Sequence, residues 1–357
     1  MSTDRIVSVR GSDGRTYQLN MTQGNVVLDN GVKLEARELS SADVHLQSAM
    51  QSFATGYGTN AEQCIADIVC PPLLVDKPTD KYHTWSSNDL LNDVTDDAVG
   101  DSGSIQTVSP SKSNDSYTVE GHALASFVSN RVVAAADASI NPEAAAIRRI
   151  MNAMNIRREV RVAAVLDDAA AGFLSYKTTL VAATSKWNGG TTADPVKDLM
   201  DAQEGALKPI THFAMAQRTW NNFVRNVNVS KYGLANAGDK LLSMSPDEVA
   251  QRVGIVGAKF VIGALKRKSP TAGTVGYVWG NDVCCLHIPA GAETDEEEVP
   301  TARNFRWNTN GAGGFEVRQW DVPQTGGRGG RMIAVVVDEV VKLVAAPTGW
   351  LIVGAYA

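Results

Sequence analysis

The residues best suited to hold a metal or move a proton near neutral pH are five histidines: His45, His83, His122, His212 and His287. No two of them stand at an H-x-x-x-H or H-x-H spacing, so no metal site is expected. The four cysteines are Cys64, Cys70 and the adjacent pair Cys284 and Cys285. They lack the C-x-x-C pairing of a zinc site and the density of a disulfide scaffold, and read as buried thiols of a reducing compartment. Ser109 and Lys112 match the S-x-x-K spacing of acyl-transfer enzymes, but they sit in a polar stretch without the companion motifs. No G-x-S-x-G elbow, G-x-x-x-x-G-K-[ST] loop or G-x-G-x-x-G turn occurs. The sequence therefore offers no catalytic, cofactor-binding or metal residue, and an enzyme is not expected.

Two charged stretches remain. Asp89, Asp93, Asp96, Asp97 and Asp101 could in principle gather a cation, yet the EF-hand spacing is absent and a solvated acidic loop is the reading. GGRGGR at 326–331 resembles an RGG segment or an anion-binding nest. Occurring once and between strand-like runs, it reads as a turn whose two arginines pair between subunits. The net charge of −6 gives no overall attraction to nucleic acid or to an anionic membrane. No apolar run has the length of a membrane span, and MSTDRIVSVRGSDG does not have the form of a leader, so a cytoplasmic protein is expected. Asn228-Val229-Ser230 is then a chance match to a glycosylation acceptor.

With 357 residues, 44% of them hydrophobic, the chain can build two or more lobes. Its organising stretch runs from Asn141 to Asp168. Asn141 is a favoured N-cap, Pro142 fits the first helical position, and no Gly or Pro interrupts 144–166. The spacing predicts one long helix, with Ile147, Ile150, Met151 and Met154 as an apolar stripe continued by Ile156, Val160 and Ala163. The arginine-dense remainder, with Arg148 and Arg157 or Arg158 among it, is expected to meet neighbouring subunits. Before this helix, residues 4–36 alternate β-type runs with Asp-Gly and Asn-Gly turns and predict two small hairpins. Short helices are expected over 40–54 and 61–69, then strands at 73–75 and 82–85. Residues 88–116 are too polar to form a core, so strand, polar tip and the strand resuming at Tyr117 describe a projecting β-ribbon. After the long helix come an extended run at 173–181 and helices over 194–207, 217–226 and from Ser245 to Gly254 or Gly257. Strands are expected at 259–265, 275–288, 315–320, 332–345 and 347–356, with an acidic loop at 293–298.

This order resembles the major capsid proteins of tailed bacteriophages with the HK97 fold. The residues that carry the resemblance begin with Phe53 to Tyr57 (FATGY), Ile65 to Val69 (IADIV), Pro71, Val75 and Tyr82. Arg158-Glu159, Val162-Ala163 and Leu166 follow at the end of the long helix, then Trp187, Asp194-Pro195-Val196 and Asp198-Leu199. Tyr277 to Asp282 (YVWGND) and the Val-rich C-terminal strand complete it. The resemblance implies an α+β fold with an N-terminal arm at 1–71, an E-loop at 72–125 and a P domain at 126–186 and 316–345 with a spine helix at 141–168. An A domain at 187–315 takes back a C-terminal strand at 346–357. Residues 1–40 are extra to the pattern and too short and β-like for a cleavable helical scaffolding region, so a separate scaffold or none is expected. Some relatives crosslink an E-loop lysine to a neighbour's asparagine. Lys77, Lys81 and Lys112 lie in the right region and read as ordinary surface lysines.

The function so implied is structural, self-assembly into the hexamers and pentamers of an icosahedral shell around double-stranded DNA held non-specifically. Its expected partners are further copies of itself, a portal, and scaffold or decoration proteins, without a membrane, in a virion assembled in host cytoplasm. No cofactor is implied. Within the same fold the alternative is an encapsulin-type compartment around an enzyme cargo. From other classes, a dispersed-site enzyme would be a small oligomer with a deep pocket, and a nucleic-acid module resting on GGRGGR would bind with steep salt dependence.

Overall fold

The computed structural model describes residues 6–10, 16–20, 25–27, 33–35, 64–85, 87, 113–136, 141–170, 172–233, 245–255, 257–268, 273–291, 299–308, 314–325 and 327–356. The expected helix at 40–54, FATGY, most of the polar tip with Ser109 and Lys112, His45 and the acidic loop at 293–298 lie outside the described residues.

At the start, β1 (Ile6–Arg10), β2 (Thr16–Asn20), β3 (Asn25–Val27) and β4 (Lys33–Glu35) pair in chain order as one antiparallel sheet. The two expected hairpins are thus joined, because β2 also pairs with β3.

A single helical turn, α1 (Ala66–Val69), leads to β5 (Pro72–Val75), β6 (Thr79–Thr84), β7 (Ser113–Thr118) and β8 (Glu120–Ser129). After α2 (Asn130–Ala135) comes the long helix α3 (Pro142–Leu166). Asn141 Oδ1 accepts from the N–H groups of Glu143 and Ala144, and Pro142 occupies the first turn, as its sequence requires. Ala146, Ile147, Ile150, Met151 and Met154 pack on Val128, Phe315, Val317, Ile333, Val335 and Val337. Beyond Met154 the buried face keeps the expected Ala163 but not Ile156 or Val160. It continues through Asn155, Arg158, Glu159, Val162, Ala163 and Leu166, while Ile156 and Val160 are only half-buried. The helical period decides the face, and here it places polar residues inside.

The second half adds β9 (Lys177–Thr179), α4 (Pro195–Gly205), β10 (His212–Ala216), α5 (Gln217–Arg225), α6 (Val227–Gly233) and α7 (Pro246–Val253). Strands β11 (Lys259–Gly263), β12 (Lys266–Lys268), β13 (Val275–Tyr277), β14 (Val283–Leu286), β15 (Ala302–Trp307), β16 (Phe315–Val322), β17 (Gly330–Leu343) and β18 (Trp350–Val353) complete the chain. Helix α7 carries the capping box of Ser245 and Glu248 and stops at Gly254, whose φ of 84° is left-handed. Extended structure at 173–181 is confined to β9, and the expected run at 275–288 is broken into β13 and β14.

Two five-stranded sheets organise these elements. One has the order β11-β10-β14-β18-β9 and is buried on both sides. Phe213, Met215, Val283 and Cys285 face a helical layer with Trp187, Phe223 and Val249. Their neighbours Ala214, Cys284 and Leu286 face Val162, Leu166, Phe173 and Trp279. Burial on both faces explains why VCCL shows no alternation. The other sheet is built on β17, flanked by β8 on one side and by β16, β15 and then β5 on the other. These sheets join distant parts of the chain: β5 pairs with β15, β15 with β17, and β9 with β18.

Candidate functional site

Where α1, α3, β15 and β17 meet, the buried face of α3 brings charge into the core. Arg158 Nε donates to both oxygens of Glu339, each at 3.2 Å, and its Nη1 donates to Asp67 at 3.3 Å. Arg306 repeats the pattern from β15, with Glu339 and Asp67 both at 3.2 Å. Arg161 also pairs with Glu339, and Asn304 Nδ2 donates to it at 3.1 Å. The Phe315 ring lies under the guanidiniums of Arg158 and Arg306, at 4.7 and 5.3 Å. Glu339 is 1% exposed, and burial alone would raise its carboxyl, but the three arginines hold it well below the usual range. Arg158, expected to reach a neighbouring subunit, is instead 3% exposed and committed inside its own chain.

Glu159, the next residue, ties three segments together. Its carboxylate accepts from the backbone N–H groups of Ile65 and Ala66, at 3.1 and 2.9 Å, and from Trp279 Nε1. Burial pushes its pKa up, and these three donors oppose the rise. About two helical turns further on, Asp167 ends α3 and accepts from Cys284 Sγ at 3.4 Å. Burial and the nearby Asp282 push Asp167 up to about 6. Each acid of these groups is engaged by donors of the fold, which gives them a role in holding segments together.

A second feature is the β6–β7 ribbon. It is exposed along most of its length, with only Tyr82 and Tyr117 buried. Tyr117 stacks on Phe305 with ring centres 4.6 Å apart, and Tyr82 leans on the same ring at 5.1 Å. Tyr82 Oη donates to Asp115 at 2.9 Å, and Tyr117 Oη to the Lys77 carbonyl at 3.2 Å. The ribbon is thus anchored at its base on β15. Lys77 pairs with the exposed Asp80. Alongside β8 and α2 runs an open groove of about 640 Å³, lined by Phe127, Val132, Ala135, Pro142 and Ala145, with Arg131 and Arg149 also lining it.

The other singled-out residues serve local structure. His212 and His287 come together at one end of the β10 sheet, where burial, Lys259 and His287 push His212 down. Their Nδ1 atoms are held by Thr211 Oγ1 and the Pro209 carbonyl. His83 pairs with Asn114 across the ribbon. Among the described residues, no three His, Cys, Asp or Glu side chains could hold a metal. Cys70, Cys284 and Cys285 are buried free thiols, and Cys64 is half-buried. In the glycine-rich turn, Gly327 and Gly329 have φ of 70° and 68°, and a Cβ at Gly330 would lie 2.4 Å from the Val128 carbonyl. Arg331, expected to pair between subunits, binds Glu143 and Asp321 of its own chain. The left-handed backbone accounts for Gly327 and Gly329, and close packing on β8 accounts for Gly330.

No family model and no curated protein matches the chain. Solved structures do. A phage-related protein from Bordetella bronchiseptica RB50 matches at 17% identity with a TM-score of 0.68, over 87% of this chain and 98% of that one. The capsid of cyanophage P-SCSP1u matches at 9% identity and a TM-score of 0.53, over 81% and 87% of the two chains. The holo-SrpI encapsulin complex from Synechococcus elongatus matches at 11% and 0.51, over 81% and 88%. With its long helix on the β17 sheet, its projecting ribbon and its second, helix-covered sheet, the chain has the α+β, HK97-like capsid fold.

Proposed function

We propose that this chain is the major subunit of an icosahedral shell, assembling into hexamers and pentamers around double-stranded DNA. The observation that carries the reading is the overlay, which takes in 98% of a phage-related protein and 87% of this chain. The anchored but otherwise exposed ribbon supports it, since such an element gains cover from another subunit. In this reading the segment through residue 71 is the arm and the β6–β7 ribbon is the E-loop. The β17 sheet with α3 forms the P domain, and the β10 sheet forms the A domain. The groove beside β8 and the ribbon provide modest contacts that sum over many copies. Portal, scaffold or decoration proteins are the further partners, with non-specific contact to packaged DNA, and the shell belongs to a virion assembled in host cytoplasm. The role is structural, without catalysis.

The encapsulin match favours one second reading, a compartment around a protein cargo. Both are tested by expressing the chain, separating it by size and imaging the largest fraction by electron microscopy. Closed shells are expected. A small oligomer with no shells would overturn both readings. Shells isolated from the native source after nuclease treatment should retain protected DNA, and a protein cargo without DNA would select the compartment.

A further inference from the structure

Between β11 and β14 the chain makes a small excursion whose charge is unlike that of the rest. Residues 249–281 hold no Asp or Glu, although the whole chain carries a net charge of −6. Strands β12 and β13 pair as an antiparallel hairpin in which Lys266 stands opposite Tyr277, Arg267 opposite Gly276 and Lys268 opposite Val275. Residues two apart share a face of a strand, so Lys266 and Lys268 lie on one side and Arg267 on the other. Lys266 and Lys268 are exposed, and Arg267 is half-buried. Among the described residues none of the three has a carboxylate partner. The Lys266 ammonium sits 4.9 Å from the centre of the Tyr277 ring. The base of the hairpin is firmly held. Val278 N–H donates to the Leu265 carbonyl at 3.0 Å, and buried Trp279 donates to Glu159. A Cβ on Gly263 would lie 2.3 Å from that indole, so strand and ring are in close contact.

We propose that this hairpin is the surface by which the chain holds the phosphate backbone of duplex DNA, without reading its sequence. The inference rests on the shell reading for the DNA and names the part of the subunit that meets it. Three cations spread over both faces, with no acid beside them, fit a continuous line of phosphates better than a single carboxylate. Thr274 adds a hydroxyl, and a Cβ on Gly276 would meet nothing within 4 Å, so a phosphate backbone can approach closely. Single strands are held largely by stacking bases on aromatic rings, and the hairpin's one ring, Tyr277, already carries Lys266. The acid-rich segment 293–298 of the same chain leaves from the other end of the sheet. The hairpin grows from Gly263 beside Ala216, whereas His287 and Thr301, which flank that segment, bond to each other at the His212 end. With three contacts per subunit, binding by a single chain is weak and salt-dependent, and it sums over the copies of a shell.

The test uses the full chain and a short fluorescent DNA duplex, with binding read by anisotropy as salt rises from about 50 to 200 mM. Three neutralised phosphates predict a log–log slope of about −2.7, a loss of about 40-fold over that range. Lys266→Gln/Arg267→Gln/Lys268→Gln is expected to weaken duplex binding at least about tenfold at the lower salt, with the unfolding temperature unchanged. Lys268→Gln alone should already make the slope shallower by about one. The control Lys197→Gln/Arg225→Gln/Lys231→Gln removes the same charge from exposed positions on the helices over the same sheet, and should bind as wild type does. The duplex should also bind more tightly than either of its strands. No binding by wild type, equal losses in the hairpin and control variants, or tighter binding of a single strand would overturn the proposal. So would a hairpin variant that binds DNA normally but no longer self-associates, the sign of an acidic surface on a second copy. Electron microscopy of the same samples reads shell formation separately, so absence of shells with hairpin-dependent DNA binding counts against the shell reading alone.

Discussion

Glu339 is the carboxylate on which Arg158, Arg161 and Arg306 converge, so its removal leaves three buried or half-buried cations, with Arg158 and Arg306 sharing Asp67. Glu339→Gln is expected to cost about 3–5 kcal/mol, read as a large fall in unfolding temperature at pH 7. Because the folded pKa lies below the unfolded one, this contribution is complete above about pH 4.5 and fades as pH falls further. The gap between wild type and variant should close in the same direction. Asp167 has the opposite sign. Raised to about 6, it binds a proton more tightly when folded, so stability is lost as pH rises from about 4 through 6. Asp167→Asn, which keeps an oxygen to accept from Cys284, should stabilise the chain by about 1–3 kcal/mol at pH 7 and by nothing near pH 3.5. Unfolding temperatures measured across that range would show the crossover, and a uniform effect at all pH values would refute it.

The long helix was legible at its start, where Asn141 and Pro142 write the cap, and along its first turns, where Met151 and Met154 face the β17 sheet as expected. It was misread after Met154, since hydropathy followed Ile156 and Val160 while the helical period turned Asn155, Arg158 and Glu159 inward. No local signal marks a buried arginine whose carboxylate lies 181 residues away. The charge cluster was therefore hidden although two of its members had been picked out as an echo of a family. The same long range hid the pairing of β5 with β15, for strand partners are not written in either strand. Asn155 has both polar side-chain atoms buried without a hydrogen-bond partner. Asn155→Leu, which preserves the branched shape, is expected to raise stability by about 1–2 kcal/mol, as read by denaturant unfolding. On the ribbon, Tyr117→Ala removes the stack on Phe305 and should cost about 2–4 kcal/mol at the ribbon base. Limited proteolysis should then cut near 79–84 or 113–118 while the body stays intact. Protection equal to wild type would show that the aromatic anchor is dispensable.

For the molecule as a whole, deleting residues 88–112 and joining the ribbon strands with a short Gly-Ser turn should leave a foldable subunit that makes no stable shells. Normal particles from that deletion would count against the E-loop reading. Order of synthesis adds a different consequence. Strand β17 joins β8, β16 and β15, all of which precede it, and β18 fills the gap between β14 and β9. Both sheets thus wait for residues 330–353, which leave the ribosome after every strand they join. Until then β9 and β8 have no strand partner among the described residues, and neither sheet can be completed during translation before β17 and β18 are made. A chain that stops before residue 330 has neither sheet closed, so it offers proteases an open substrate and neighbours no finished surface. Completeness is in this way built into the order of the strands: a chain read through residue 353 has both sheets whole.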